Sequence, residues 1–303
     1  MIVARCPLRI SLVGGSTDLH EFVEKYGRGS VINFTPSLYT YIMLNKSKTY
    51  RIICSKIEDV SDPLKITNDI AREVIRYFDL EPVKIIFDSD IKNTGSGLAS
   101  SSSYLLSMIR AAADFTKTNL SILQINKIAV EIEKNFNPKT GYQDIYGCSI
   151  GGFKRLDFLR DGVTFKHLDC SVLSKFDMYL IDTSVNRSST EILSSINLTK
   201  SKKLLKYVDE LEKNVLNESE LCDIINENWE QKKKTSPLIL NEKVAELENI
   251  LKSNTNVRAK KLCGAGAGGF FFVLTNRDCF DVPEGYESYK IEIDNEGLKS
   301  WII

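Results

Sequence analysis

The stretch Thr94, Gly95, Ser96, Gly97, Leu98, Ala99, Ser100, Ser101, Ser102 and Ser103 has the composition that most invites chemistry. Gly95, Ser96 and Gly97 let the backbone approach a ligand closely and enter conformations closed to larger residues. The run from Tyr104 to Phe115 follows at once, apolar on nearly every side, and reads as a buried helix. The first amides of a helix have no intrahelical partner, and its dipole is positive at that end. A glycine-rich loop feeding a helix N-terminus is therefore a favourable seat for a di- or triphosphate. The serines add hydroxyls able to bond phosphate or ligate Mg²⁺. The loop has neither the Gly-Lys-Ser/Thr of a Walker A loop nor a dinucleotide fingerprint, so alone it reads equally as a turn before a serine-capped helix.

Two other small-residue loops stand far from it in the chain. Cys263-Gly-Ala-Gly-Ala-Gly-Gly269 lies between two short strands and carries four glycines. A bulge explains one or two of them; four call for a ligand or another backbone lying close. Gly14-Gly15-Ser16-Thr17-Asp18 closes a strand and, by itself, reads as a turn into a short helix over 18–26 with Asp18 as its cap.

The elements that must position these loops follow from periodicity and caps. Strands are expected at 10–13, 38–44, 83–87, 153–158, 164–168, 178–182 and 270–274, and helices at 67–78 and 121–135, the latter capped by Ser121. From 188 to about 253 the chain turns rich in Leu, Glu, Lys and Asn with helical spacing, and Lys232-Lys233-Lys234 reads as a solvated face. There is no internal repeat, and any join between two domains falls near 150–185.

With 303 residues, 43% hydrophobic and 26% charged, the chain is long enough for a sizeable core, in one large domain or two packed ones. Forty basic residues balance forty acidic ones, which lowers the expectation of a nucleic-acid partner. Seven scattered cysteines without C-x-x-C suggest reduced thiols in a cytoplasmic protein. No apolar run is long enough to span a bilayer, so no membrane partner is expected.

Taken in order, the three loops resemble the three motifs of the GHMP kinases, and the resemblance covers essentially the whole chain. Cys6-Pro-Leu-Arg-Ile-Ser-Leu-Val-Gly-Gly-Ser-Thr-Asp-Leu19 is similar to the first motif, Gly95-Ser-Gly-Leu-Ala-Ser-Ser-Ser102 to the second and Lys261-Leu-Cys-Gly-Ala-Gly-Ala-Gly-Gly-Phe270 to the third. Pro7-Leu-Arg-Ile-Ser11 and the ending Gly297-Leu-Lys-Ser-Trp301 look closest to the D-glycero-D-manno-heptose 7-phosphate kinases.

The resemblance implies an α+β, two-lobed GHMP kinase fold. Its ATP-binding N-terminal lobe, over 1–175, is ribosomal S5 domain 2-like, and its C-terminal lobe, over 176–303, is ferredoxin-like. It implies ATP and Mg²⁺ as cofactors and a small-molecule sugar or sugar-phosphate acceptor, phosphorylated at its anomeric hydroxyl. Residues 94–102 would hold ATP's phosphates, with Ser101 and Glu133 on the metal and Glu131 as fallback. Asp144 would take or orient the acceptor proton beside Arg9. Gly15, Ser16, Thr17, Asp18, Gly264, Ala265 and Gly266 would line the acceptor site with Arg9 and Asp144. A phosphorylated acceptor would also need cations, for which Arg28, Arg187, Lys232 and Lys261 are open choices. Departures from the family pattern are Asn93, Ala99, Ile145 and Cys263. Ala99 is a mild change only where φ is negative. The alternatives are a kinase for fucose or another hexose and, in another class, a non-catalytic ligand sensor. Oligomeric state is not legible.

Overall fold

The computed structural model describes residues 1–91, 95–185 and 189–303, the side chains of 189–191 excepted. The first part of the chain runs β1 (Ile2–Pro7), β2 (Ile10–Val13), α1 (His20–Tyr26), β3 (Arg28–Phe34), β4 (Tyr39–Lys46), β5 (Tyr50–Ile53) and β6 (Ile57–Val60). It continues with α2 (Asp69–Phe78), β7 (Val83–Ser89), α3 (Ser100–Phe115), α4 (Ile122–Phe136), α5 (Gln143–Ser149), β8 (Phe153–Leu159) and β9 (Gly162–His167). The remainder holds β10 (Phe176–Asp182), α6 (Ser189–Ser194), α7 (Leu198–Lys202), α8 (Leu205–Lys213), α9 (Glu218–Lys233) and α10 (Glu242–Ser253). Four strands close it: β11 (Val257–Leu262), β12 (Phe270–Asn276), β13 (Ser288–Ile291) and β14 (Lys299–Ile302).

Three sheets organise these elements: β14-β1-β4-β7-β5-β6, β2-β3-β8-β9 and β11-β12-β10-β13. Most neighbours are antiparallel; β5 and β7 are parallel. The last strand returns to the first sheet, with Val3 opposite Trp301. The helix expected from its all-round apolarity, α3, packs on β1 and β4. Its Leu105, Leu106, Met108 and Ile109 share a core with Ile42, Leu44, Val83 and Ile85. Burying each such side chain contributes about 1.5–3 kcal/mol. Hydroxyls that enter this core are satisfied by the sheet: Ser103 Oγ donates to the Cys6 carbonyl at 2.8 Å and lies 2.7 Å from Thr40 Oγ1. The serine run is thus divided. Ser103 fixes α3 to the sheet, while Ser101 in the same first turn is exposed.

Local signals mostly act as their chemistry dictates. Ser121 caps α4 in a reciprocal capping box with Gln124, and Asn68 caps α2 through Ala71 N. Asp18 does not cap α1. Leu19 occupies that position without a side-chain bond, because the Asp18 carboxylate is used elsewhere. Among the described residues no helix is long and apolar enough to cross a membrane.

Candidate active site

The link between β1 and β2 carries Arg9 inward. Its amide donates to Leu98 O at 3.0 Å and its Nη1 to Gly97 O at 2.6 Å, so the second-motif loop is tied to this guanidinium. Its Nε and Nη2 both donate to Asp144 Oδ1, at 3.0 and 2.7 Å, from the first turn of α5. Arg9 is 5% exposed at its side chain and Asp144 35%, so a buried cation presents a carboxylate to an open cavity. With both bonds on Oδ1, Oδ2 is left to receive a proton from a ligand.

The loop of 95–102 forms one wall of that cavity. Gly95 and Gly97 have φ of 83° and 78°, where glycine is at ease. Ala99 has φ 66°, so its departure from glycine is a strained one, of roughly 1–2 kcal/mol. It is the N-cap of α3 and supplies no side-chain bond to the helix amides. Those amides, the Ser100 and Ser101 hydroxyls and the positive end of the helix converge where a phosphate chain can lie. Of the third-motif glycines, Gly269 packs against this wall. A Cβ on Gly269 would come within 2.3 Å of Ser96 O, one on Gly268 within 2.5 Å of Val185 O, and one on Gly266 within 2.9 Å of Ile239 Cα. Another backbone, not a ligand, accounts for these positions, although Gly264 and Ala265 do line the cavity.

Glu133 enters from α4. It is 2% exposed, and its Oε1 accepts from Ser102 Oγ at 2.9 Å. Its Oε2 is buried without a hydrogen-bond partner among the described residues, near Asn137 and Thr140. Burial, and then the negative charge of Asp144, push its carboxyl up to about 7 against the Ser102 bond. An unsatisfied carboxylate oxygen beside a phosphate-sized loop fits a divalent cation. Among the described residues no cluster of three or more Asp, Glu, His or Cys could hold a metal alone, so hydroxyl, phosphate or water oxygens would have to complete its shell. The serine bonded to Glu133 is Ser102, one residue beyond the expected Ser101, which lies exposed on the cavity side of the same turn. Glu131 faces solvent on α4.

Asp18 closes the next side. Its Oδ2 accepts from Gln143 N at 3.2 Å, and a Cβ on Gly141 would come within 1.9 Å of that oxygen. Burial and then the charge of Asp144 raise its carboxyl to about 6, against the Gln143 bond. Because the folded state holds this proton more tightly than the unfolded chain, the penalty is absent below about pH 4. It grows as pH rises toward 6 and is full above that. Asp18→Asn is therefore expected to raise the melting temperature at pH 8, by up to about 3 kcal/mol of stability, and to leave it unchanged near pH 4. Equal melting shifts at both pH values would show that the carboxyl does not titrate this way.

The remaining side comes from the C-terminal part of the chain. Lys261 Nζ donates to the carbonyls of Ser11 and Leu12, the latter at 3.0 Å. Lys232 Nζ donates to Ser16 Oγ, and Asn228 Oδ1 accepts from Gly14 N at 3.1 Å. The lysine run on α9 is not a uniformly solvated face: Lys232 is buried, Lys233 pairs with Glu248 at 2.7 Å, and Lys234 is exposed.

Most anticipated residues thus meet around one cavity: Arg9, Gly15, Ser16, Asp18, Glu133 and Asp144, with the loop from Gly95 to Ser102. Others do not reach it. Thr17 is fully buried and turned to β3, its Oγ1 bonded to Ser30 O and N at 2.9 and 3.0 Å. The Leu98 side chain is in the core, and Gly266 packs on Ile239. Arg28 pairs with Asp209 at 3.0 Å instead of lining the cavity. Ile145, one of the departures from the family pattern, is a core residue. Thr94, Asn93 and Arg187 lie outside the described residues. Sequence reasoning passed over Asn228 and Gln143. The latter is 5% exposed, and its Oε1 has no hydrogen-bond partner among the described residues. Neither has a local signal, since both are polar residues on helices.

Residues 65–152 match the model of the GHMP kinases N terminal domain. Over its whole length the chain is 27% identical to the D-glycero-alpha-D-manno-heptose 7-phosphate kinase of Campylobacter jejuni subsp. jejuni serotype O:2, covering 99% of that protein. Over 62% of its length it is 28% identical to 54% of the galactokinase of Thermosipho africanus. In three dimensions it resembles the crystal structure of a D-glycero-D-manno-heptose 1-phosphate kinase from Bacteriodes thetaiotaomicron. There the TM-score is 0.79 at 21% identity, over 100% of this chain and 99% of that one. These likenesses carry the α+β, two-lobed GHMP kinase fold.

Proposed function

We propose, for a chain that carries a GHMP kinase N-terminal domain in a GHMP kinase fold, transfer of the γ-phosphoryl group of ATP to a sugar-phosphate hydroxyl. The anomeric hydroxyl of D-glycero-D-manno-heptose 7-phosphate is the acceptor we favour, from the full-length likeness to a heptose 7-phosphate kinase. The observation that carries the reading is the Arg9–Asp144 pair, hydrogen-bonded to the Gly97 carbonyl of the phosphate-loop candidate.

Phosphoryl transfer asks a protein for position and charge more than for covalent chemistry. In this reading residues 1–175 hold ATP, with the amides of 95–102 on its phosphates. Residues 176–303 close the acceptor side through α9, Gly264 and Ala265. Asp144 Oδ2 accepts or orients the proton of the attacking hydroxyl, while the two bonds from Arg9 to Oδ1 hold the carboxylate turned. Asp18 accepts from acceptor hydroxyls. Mg²⁺, held by Glu133 with Ser101 or Ser102, would supply neutralisation of phosphate charge. A non-catalytic sensor would have no need for Arg9, Glu133 and Asp144 to converge on one cavity.

The test is acceptor-dependent ADP release from Mg-ATP across a panel of D-glycero-D-manno-heptose 7-phosphate, sedoheptulose 7-phosphate, fucose, galactose and mannose. Release is expected with the heptose 7-phosphate. Release with fucose or a hexose instead moves the acceptor assignment. Silence with ATP still bound favours the sensor, and silence without ATP binding removes the kinase reading.

A further inference from the structure

We infer that Lys232, which lines the cavity bonded to Ser16 of the first-motif loop, anchors the phosphate of the acceptor and selects a sugar phosphate over the free sugar. This rests on the kinase reading for the identity of the sugar, but the anion site itself stands on geometry.

Lys232 and Asn228 are four residues apart on α9, so they share one face of that helix. That face meets the first-motif loop at successive points. Asn228 Oδ1 takes the Gly14 amide at 3.1 Å, and Lys232 donates to Ser16 Oγ. At the far end of the same loop, Asp18 is held by the amide of Gln143, the neighbour of Asp144. A ligand whose hydroxyls engage Asp18 and Asp144 therefore finds Lys232 on the same short loop, at Ser16, two residues from Asp18. Beside Ser16, Gly15 keeps space open. Its Cβ, were there one, would lie 4.0 Å from Lys232 Nζ and 3.9 Å from Ser11 Oγ. Ser16 holds φ 56°, a left-handed conformation unusual for serine, and its hydroxyl reaches the ammonium.

Charge points the same way. Lys261 lies behind this loop and spends its hydrogen bonds on the carbonyls of Ser11 and Leu12. Carbonyls are neutral acceptors, so its positive charge is left uncompensated by them. Burial lowers its ammonium to about 7, and the nearby Lys232 and Arg9 act in the same direction. Two buried ammonium groups on one side of a cavity are stabilised by an anion that enters it. In the proposed reading ATP's phosphates have their own seat, on the amides of 95–102 in another wall of the cavity. α9 is also firmly held, with Trp229 Nε1 donating to Glu248 Oε1 at 3.0 Å and Lys233 bonded to the same oxygen. Lys232 is thus presented from a braced helix.

The experiment is equilibrium binding of D-glycero-D-manno-heptose 7-phosphate, the unphosphorylated heptose and inorganic phosphate, with a non-hydrolysable ATP analogue saturating the other phosphate seat. The full chain is compared as wild type, Lys232→Met and Lys232→Arg. Wild type is expected to bind the phosphorylated sugar at least about tenfold more tightly than the free sugar, the range of one or more charge-assisted hydrogen bonds. Lys232→Met should collapse that ratio toward one and abolish competition by inorganic phosphate, with affinity for the ATP analogue within about twofold of wild type. Lys232→Arg should keep part of the preference. An unchanged ratio in Lys232→Met overturns the assignment, as does a selective loss of ATP-analogue binding. Equal wild-type affinity for sugar and sugar phosphate overturns it without any variant. Because binding is read separately from turnover, a protein that shows the Lys232-dependent preference but releases no ADP would refute the kinase reading and leave this site standing.

Discussion

Asp144→Asn is expected to lower turnover by about 10²–10⁴-fold, the usual worth of a positioned general base, with little change in ATP affinity. The geometry makes this a clean comparison. Both bonds from Arg9 fall on Oδ1, at 3.0 and 2.7 Å, and an asparagine carbonyl can take the same two donors. Arg9 also keeps its bond to Gly97 O at 2.6 Å, so the phosphate loop retains its tie. What disappears is the negative charge and the basic oxygen facing the cavity. Single-turnover rates and ATP-analogue titration on the same preparation would separate chemistry from binding. Turnover within about threefold of wild type would be far outside the range expected on loss of a base and would remove Asp144 from the mechanism.

The second large effect is expected at Glu133. Glu133→Gln should raise the Mg²⁺ concentration for half-maximal activity by tenfold or more, corresponding to about 1.4 kcal/mol or more of lost cation binding. Glutamine can still accept from Ser102 Oγ, now 2.9 Å from Oε1, so the local packing is kept while the charge is lost. The pH dependence gives an independent reading. The Glu133 carboxyl is raised to about 7, by burial first and the Asp144 charge second. In the metal-free protein its ionisation therefore destabilises the fold as pH rises from about 4.5 to 7, and the penalty is full above that. Glu133→Gln should consequently melt higher than wild type at pH 8 without metal and equally at pH 4. In wild type the Mg²⁺ requirement should climb as pH falls below 7, since the cation must then displace a proton. The variant should lose that climb. A Mg²⁺ dependence unchanged by the substitution at every pH would refute the metal assignment.

Both predictions concern residues whose partners come from distant parts of the chain, and this marks the boundary of what the linear order could reveal. The phosphate-loop candidate was legible because its determinants are local. Gly95 and Gly97 provide left-handed backbone, and the apolar run behind them dictates a buried helix whose first amides are open. The N-cap at Ser121 and the strands of alternating or β-branched character were legible for the same reason: each depends on residues within a turn or a strand of one another. Asp18 was misread as a cap because the local rule for a carboxylate before a helix ignores the Gln143 amide, which arrives from 125 residues away. Likewise Ser101 and Ser102 differ in sequence by one place but on a helix by about 100°, and only the arrival of α4 decides which of them meets Glu133.

The amino-acid sequence by itself determined the three glycine loops, their order and the elements that carry them, while Arg9, Glu133 and Asp144 were named by the motifs' resemblance to the GHMP kinases. Backbone conformation and helix burial are set by residue types over short spans. The tertiary structure alone decided which small residues face a ligand. Thr17 turns into β3, while Gly266 and Gly269 make room for Ile239 and Ser96. It also showed that Lys232, one of four open choices for a cation, is the buried member of a run of three lysines. On a charge-rich helix those side chains are equivalent until packing buries one face, and burial is a property of what lies opposite, which no local pattern of residues contains.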